Sequence, residues 1–261
     1  MPKVIEILGP SGVGKTSLYK SLQNDWNEED PWGVYHDIRY KRDPNKRFIH
    51  RVFDFLKRKQ NTPKQEISYK GANLNDYPKE RIFLKDHPEF CNRVVGLINE
   101  HSRKSFGGVD KRFINLYFMF ETFEHVQAIR ERTADKRACL MDEGLLSRLM
   151  HLNSPSFSEK TVDEYIQFMP LPDAVIYLQC SPEEILQRAQ QKENPSTVHH
   201  KLSENEIVEM TMKTIQMMNY AIHKVEKKNV TVYKLNAERE IEVIKQDLIN
   251  VLKQESNYVV K

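Results

Sequence analysis

The 261-residue chain predicts a three-layer α/β/α fold, a doubly wound parallel sheet with helices on both faces. Two observations carry this. Four short runs, Val4 to Leu8, Ala138 to Met141, Ala174 to Leu178 and Val230 to Leu235, are largely apolar, as strands covered on both faces are. Between the first run and the helix-like pattern after it stands Gly9-Pro10-Ser11-Gly12-Val13-Gly14-Lys15-Thr16, a complete G-x-x-x-x-G-K-T in strand–loop–helix context.

The elements follow in order. After the glycine-rich loop, Leu18, Leu22 and Trp26 recur at i+4 and mark a helix. A further strand is expected at Gly33 to Ile38. The region from Asp30 to Asp110 differs in character. It is strongly basic from Arg39 to Lys59 and polar with turn residues from Gln60 to Glu80. A helix with Phe90, Val94, Leu97 and Ile98 on one face follows. It reads as a mostly helical insertion on one frame, so residues 1–261 are expected to form a single domain.

The next helix carries Phe113, Leu116, Tyr117, Phe120 and Phe123 and is expected to be core. Ser181-Pro182-Glu183-Glu184 is a capping box with proline at the first helical position. Ser203 to Glu206 is a second, opening a helix with Ile207, Met210, Thr214, Met217, Ala221 and Val225 on one stripe. Asn236 is expected to cap the last helix, where Ile241, Ile244, Leu248 and Val251 or Leu252 face inward.

Bulk properties exclude several classes. Charged residues make up 30% of the chain and the net charge is +3, too near neutral to indicate a nucleic-acid binder. Cys91, Cys139 and Cys180 stand far apart without metal-ligand spacing, and read as buried reduced thiols. No apolar run approaches membrane-spanning length and no signal peptide precedes the loop, so a cytoplasmic protein without a membrane partner is expected.

The loop chemistry is specific. Its glycines let backbone N–H groups turn around a polyphosphate, and the following helix aims its positive end at the same anion. Residues Gly9, Pro10, Ser11, Gly12, Val13, Gly14, Lys15, Thr16 and Ser17 are the candidate nucleotide site. Lys15 would reach the terminal phosphates, and Thr16 would ligate Mg²⁺. Such a loop needs a carboxylate to orient the metal. Asp142-Glu143 follows the second core strand, at the sheet edge where such folds bind ligands. Asp142 is the candidate metal ligand. Glu143 is the candidate base, with Asp37 as a second candidate. Arg148 either points at the acceptor or is a solvated surface residue. Arg188 and Lys192, at i and i+4, lead into a polar loop with Lys201 beyond it. Residues 187–203 suit a lid whose cations close over the transferring phosphoryl group. His199-His200 reads as loop rather than a metal site. An N-K-x-D base-reading motif and an L-S-G-G-Q signature are both missing, which counts against a GTP switch and a transporter ATPase.

Three passages together resemble a known family: Gly9 to Thr16; Leu171-Pro172-Asp173 through Ser181-Pro182-Glu183 to Arg188; and Val232 to Arg239. They are similar to the P-loop kinases of the nucleoside monophosphate kinase superfamily, nearest its thymidylate kinase and deoxynucleoside kinase branch. The resemblance implies the P-loop kinase fold, ATP with Mg²⁺, and transfer of the γ-phosphate to a small-molecule hydroxyl or phosphate. It places Asn236 and Ala237 beside the adenine and is compatible with a homodimer. It covers the loop and most of the chain after Ala138, not Asp30 to Asp110. Two departures stand out. Asp142-Glu143-Gly144 replaces the usual Asp-Arg or Glu-Arg, with Arg148 displaced. The lid pairs Arg188 with lysines rather than further arginines. Tyr117, Glu121 and Glu124 would line the acceptor pocket by the same resemblance. An ATP-binding regulatory ATPase remains open. So does a nucleic-acid-end kinase, on the basic stretch from Arg39 to Lys59.

Overall fold

A computed structural model describes residues 2–27, 29–35, 79–105, 109–131, 135–190 and 203–257. The described elements are β1 (Lys3–Leu8), α1 (Lys15–Asp25), β2 (Trp32–Val34), α2 (Lys79–Asp86), α3 (Pro88–His101) and α4 (Arg112–Arg130). They continue with β3 (Ala138–Met141), α5 (Leu145–Leu149), α6 (Glu159–Phe168), β4 (Ala174–Gln179), α7 (Pro182–Gln190), α8 (Glu204–Lys227), β5 (Thr231–Asn236) and α9 (Ile241–Asn257). The strands form one parallel sheet in the order β2-β3-β1-β4-β5. This is the doubly wound parallel sheet that the apolar runs predict.

Alternation along each strand builds two cores. Ile5, Ile7, Leu140, Ile176 and Leu178 face α1 and α9. Val4, Leu8, Cys139, Met141, Val175 and Tyr177 face the layer made by α2 to α6 and α8. Asp173, the aspartate of the Pro-Asp passage, fixes the strand starts. Its carboxylate accepts from Val4 N–H at 2.7 Å and its own N–H donates to Val4 O at 2.8 Å. The Ser203 capping box forms as the sequence predicts, with Ser203 N–H donating to Glu206 and Glu206 N–H to Ser203 Oγ.

Connection order creates the site. β1 leads to α1 on one face, whereas the adjacent β3 leads to α5 and α6 on the other. The chain therefore parts at the carboxyl ends of β1 and β3, the switch point where open α/β sheets leave a ligand crevice.

Two expectations are corrected. Asn236 does not cap α9, which starts five residues later. Its Oδ1 instead accepts from Glu238 N–H at 2.8 Å and closes a turn after β5. The aromatic stripe of α4 is not core throughout. Phe113 is 83% and Tyr117 55% exposed, while Phe123 and Met119 carry the buried side. The strand expected at Gly33 to Ile38 is β2, ending at Val34. Asp37, the basic stretch Arg39 to Lys59, the polar stretch up to residue 78, Lys192, His199, His200 and Lys201 lie outside the described residues.

Candidate active site

The loop between β1 and α1 has the shape of a phosphate cradle. Gly12 and Gly14 take φ of 93° and 104°, left-handed values that a side chain would strain. Gly14 is the N-cap of α1, so the helix starts directly beneath the loop. Val13 is buried and anchors the loop, while Ser11, Thr16 and Ser17 are exposed above it. Lys15 Nζ donates to the carbonyls of Gly9 and Pro10, the latter at 3.1 Å. Its ammonium is thus held over the cradle by two backbone acceptors.

Arg188 lies beside this loop. From α7 it pairs with Glu184 at 2.7 Å, donates to Val13 O at 3.2 Å and donates to Ala237 O at 3.0 Å. It clasps the phosphate loop to the turn after β5. Ala237 is buried there, its N–H donating to Gln179 O at 2.8 Å. Glu238 extends the clasp by accepting from Ser181 N–H at 2.7 Å, a bond that holds its carboxyl below the usual range.

Across the crevice, Asp142 and Glu143 follow β3. Glu143 is half exposed and pairs with Arg148 at 2.7 Å. Arg148 is neither solvated nor unsupported: its side chain is only 4% exposed. Its Nε donates to Thr122 Oγ1 at 2.8 Å and its guanidinium lies 5.0 Å from the centre of the Phe118 ring. The α4 residues Phe118 and Thr122 therefore aim Arg148 at Glu143. His151 lies beside Arg148, its Nδ1 3.5 Å from the Arg148 guanidinium, and keeps an exposed surface. Crowding by protein atoms, then the Arg148, Lys15 and Lys111 cations, push it down to about 3, so it is neutral at physiological pH.

Beneath this turn lies a residue that the motifs did not flag. Glu6, in the middle of β1, is 1% exposed and stands in register with Met141. Its two oxygens accept from Leu145 N–H and Leu146 N–H, each at 2.9 Å. A Cβ on Gly144 would overlap its carboxyl group, so this turn needs glycine for the close approach. Burial pushes Glu6 up to about 7, against the Leu146, Leu145 and Ser147 N–H groups and the Arg130 cation, which lower it. The signal in the sequence was an acid inside an otherwise apolar core strand, where a buried carboxyl must find donors.

The family model described as thymidylate kinase matches residues 78–248, well over half of the chain. The chain belongs to the thymidylate kinase family. It is a phosphotransferase, a kinase of the nucleoside and nucleotide class. The match starts after the phosphate loop, so the loop is independent support. A solved structure of deoxyadenosine kinase from M. mycoides with dCMP and dCDP superposes with a TM-score of 0.50 at 13% identity, covering 96% of this chain and 99% of that one. The same enzyme with dATP gives 0.46 at 13% identity over 95% and 98%. At such identity the first likeness speaks for the fold alone. No curated protein sequence matches the chain.

In this kinase the structure brings together most of the residues singled out from the sequence. Gly9 to Ser17, Arg188 and Ala237 form one wall, and Asp142, Glu143 and Arg148 form the wall beyond β3. Asn236 shapes the turn beside Ala237. Arg188→Ala removes two bonds between the loop and that turn. The KM for the nucleotide is expected to rise about tenfold with a smaller change in kcat. A KM unchanged within twofold would show that the clasp is irrelevant to nucleotide binding.

The Glu6 proton makes a separate prediction for the kinase. A carboxyl raised from an ordinary 4.5 to about 7 binds a proton more tightly when folded. Its contribution to stability is present below 4.5 and is lost as pH rises to 7, by on the order of 3 kcal/mol. His101, held low by burial, acts oppositely, its contribution being lost as pH falls below 6.5. Subtraction removes such background: urea melts of the protein and its Glu6→Gln variant should diverge between pH 5 and pH 7.5. A constant difference would contradict the shift.

Proposed function

We propose that this protein transfers the terminal phosphoryl group of ATP, with Mg²⁺, to a hydroxyl or phosphate of a small nucleoside or nucleotide acceptor. The observation that carries the reading is the placement of the phosphate loop and Asp142-Glu143 at neighbouring strand ends of one switch point. In the structural neighbour the bound molecules are deoxynucleotides, which accords with this acceptor class.

The donor set suits the metal. Among the described residues no group of three or more His, Cys, Asp or Glu converges on one point. Mg²⁺ asks for none, since it binds through one or two protein groups, phosphate oxygens and water. Thr16 and Asp142 would hold it, and it would supply charge neutralisation at the phosphates. Lys15 moves from the Gly9 and Pro10 carbonyls to the phosphate oxygens, exchanging two neutral acceptors for anionic ones. The cradle N–H groups and the start of α1 fix the polyphosphate in line. Arg188 keeps the nucleotide wall shut against the loop. Glu143, held by Arg148, receives the proton of an acceptor hydroxyl or orients the acceptor. Residues 187–203 are assigned as the lid and Asp30 to Asp110 as the acceptor side, within one domain.

The test is nucleotide turnover measured against nucleosides, nucleoside monophosphates, sugars and oligonucleotides, with ATP and GTP as donors. A nucleoside or monophosphate should raise turnover well above basal hydrolysis with ATP. Stimulation by sugars alone, or salt-sensitive stimulation by oligonucleotide ends alone, overturns the acceptor assignment. No stimulation by any acceptor favours a regulatory ATPase.

A further inference from the structure

We propose that Glu6 is a positioning residue for phosphoryl transfer, gripping the first turn of α5 so that Asp142 and Glu143 are held against the phosphate loop. The inference rests on the active-site reading above and goes beyond it. None of the motifs in this chain contains Glu6.

The argument begins with what the strand would prefer. Val4 and Leu8, on the same face of β1 as Glu6, are buried in the core under α2 to α6. An aliphatic residue at position 6 would fit that core without the desolvation that a carboxylate suffers there. The acid therefore has to be explained by what it holds. It takes the N–H groups of Leu145 and Leu146, two donors at the start of a helix that have no partner within it. The same turn is held from other sides. Tyr165 of α6 donates to Leu145 O at 2.7 Å, and Ser147 Oγ donates to Ile7 O at 3.4 Å. Gly144 lets the carboxyl come up directly beneath the turn.

The held turn lies between two functional groups. Asp142 and Glu143 immediately precede it. Arg148, one turn later on α5, pairs with Glu143. A shift of α5 relative to β1 thus moves the candidate metal ligand, the candidate base and the base's cationic partner together. The phosphate loop leaves the carboxyl end of the same strand, three residues after Glu6. One side chain consequently sets the spacing between donor and acceptor walls, where a displacement of about 1 Å costs on the order of 100-fold in rate.

The grip depends on charge. Both oxygens accept, which suits a carboxylate; a protonated carboxyl would turn a hydroxyl toward one N–H. The groups facing Glu6 are Arg130 of α4, Tyr165 of α6 and the α5 backbone, with Cys91 of α3 and Arg148 acting on Tyr165. Arg130 favours the ionised form.

The test uses the whole chain and the acceptor identified by the turnover screen. Glu6→Gln should lower kcat tenfold or more with the KM for ATP within twofold, and should abolish an acid limb of the kcat–pH profile seen with Glu6. Gly144→Ala should reproduce the loss of kcat, and should add nothing further in a Glu6→Ala background. Without any substrate, the Leu145 and Leu146 amide resonances should titrate together in the unaltered protein. That measurement and the two Gly144 variants still decide the matter should Glu6→Gln fail to fold. A folded Glu6→Gln protein with kcat within twofold, amides that do not titrate, or additive Gly144 and Glu6 effects would overturn the role. The acceptor screen on unaltered protein tests the kinase reading separately. Normal turnover in Glu6→Gln sinks the positioning role alone.

Discussion

Lys15→Ala is expected to slow phosphoryl transfer by about 100-fold or more, the scale for removing one preorganised charge from a transition state. The ammonium sits on Gly9 O and Pro10 O, so it is already beside the loop before nucleotide arrives and exchanges these two carbonyls for phosphate oxygens. Folding should change little. The lost bonds run to backbone carbonyls beside an open loop, and substitutions outside a packed core typically stay within about 0.5 kcal/mol. Steady-state kinetics beside a urea melt separate the two effects. Turnover within tenfold of the unaltered protein, at unchanged stability, would remove Lys15 from the reaction.

Asp142→Asn should be nearly as damaging and should fail differently. The amide keeps the volume of the carboxylate but loses the charge that makes a hard-metal ligand. We expect kcat to fall by about 100-fold and the Mg²⁺ concentration for half-maximal rate to rise at least tenfold. Thr16→Ala should shift the Mg²⁺ requirement in the same direction by less, because a hydroxyl is the weaker ligand. Titrating Mg²⁺ at fixed ATP reads both variants. An Asp142→Asn protein with ordinary Mg²⁺ dependence would mean that the carboxylate after β3 holds no metal.

The sequence disclosed the sheet because parallel strands buried on both faces have no polar side to hide them. Val4 to Leu8 and Ala174 to Leu178 were legible for that reason, and the phosphate loop because few spacings of glycine, lysine and threonine are so constrained. The failures share a physical cause. Period alone shows that a helix has an apolar stripe, not which way the stripe faces, and α4 is apolar on more than one side. The stripe therefore reads as core throughout, although only Phe123 of its residues is fully buried, with Met119 beside it, and Phe113 and Tyr117 are exposed. Asn236 has the right chemistry for a helix cap and uses it in a turn instead. Arg148 was ambiguous because its surroundings, Phe118 and Thr122, come from another helix. Glu6 and Gly144 are 138 residues apart, and only the β1–β3 register shows that one demands the other.

The strand order also bears on how the molecule is made. β1 is hydrogen-bonded to β3 and β4 and not to β2, the next strand in sequence. During synthesis it emerges before both of its partners, with no ladder partner until residues near 138 and its second only after residues near 174. Long-range parallel pairing of this kind forms slowly, because loop closure must precede any reward. The phosphate loop, translated before β3 and β4, thereby waits for both before its supporting strand is paired on each side. A nascent chain stalled before β4 should lack a nucleotide cradle.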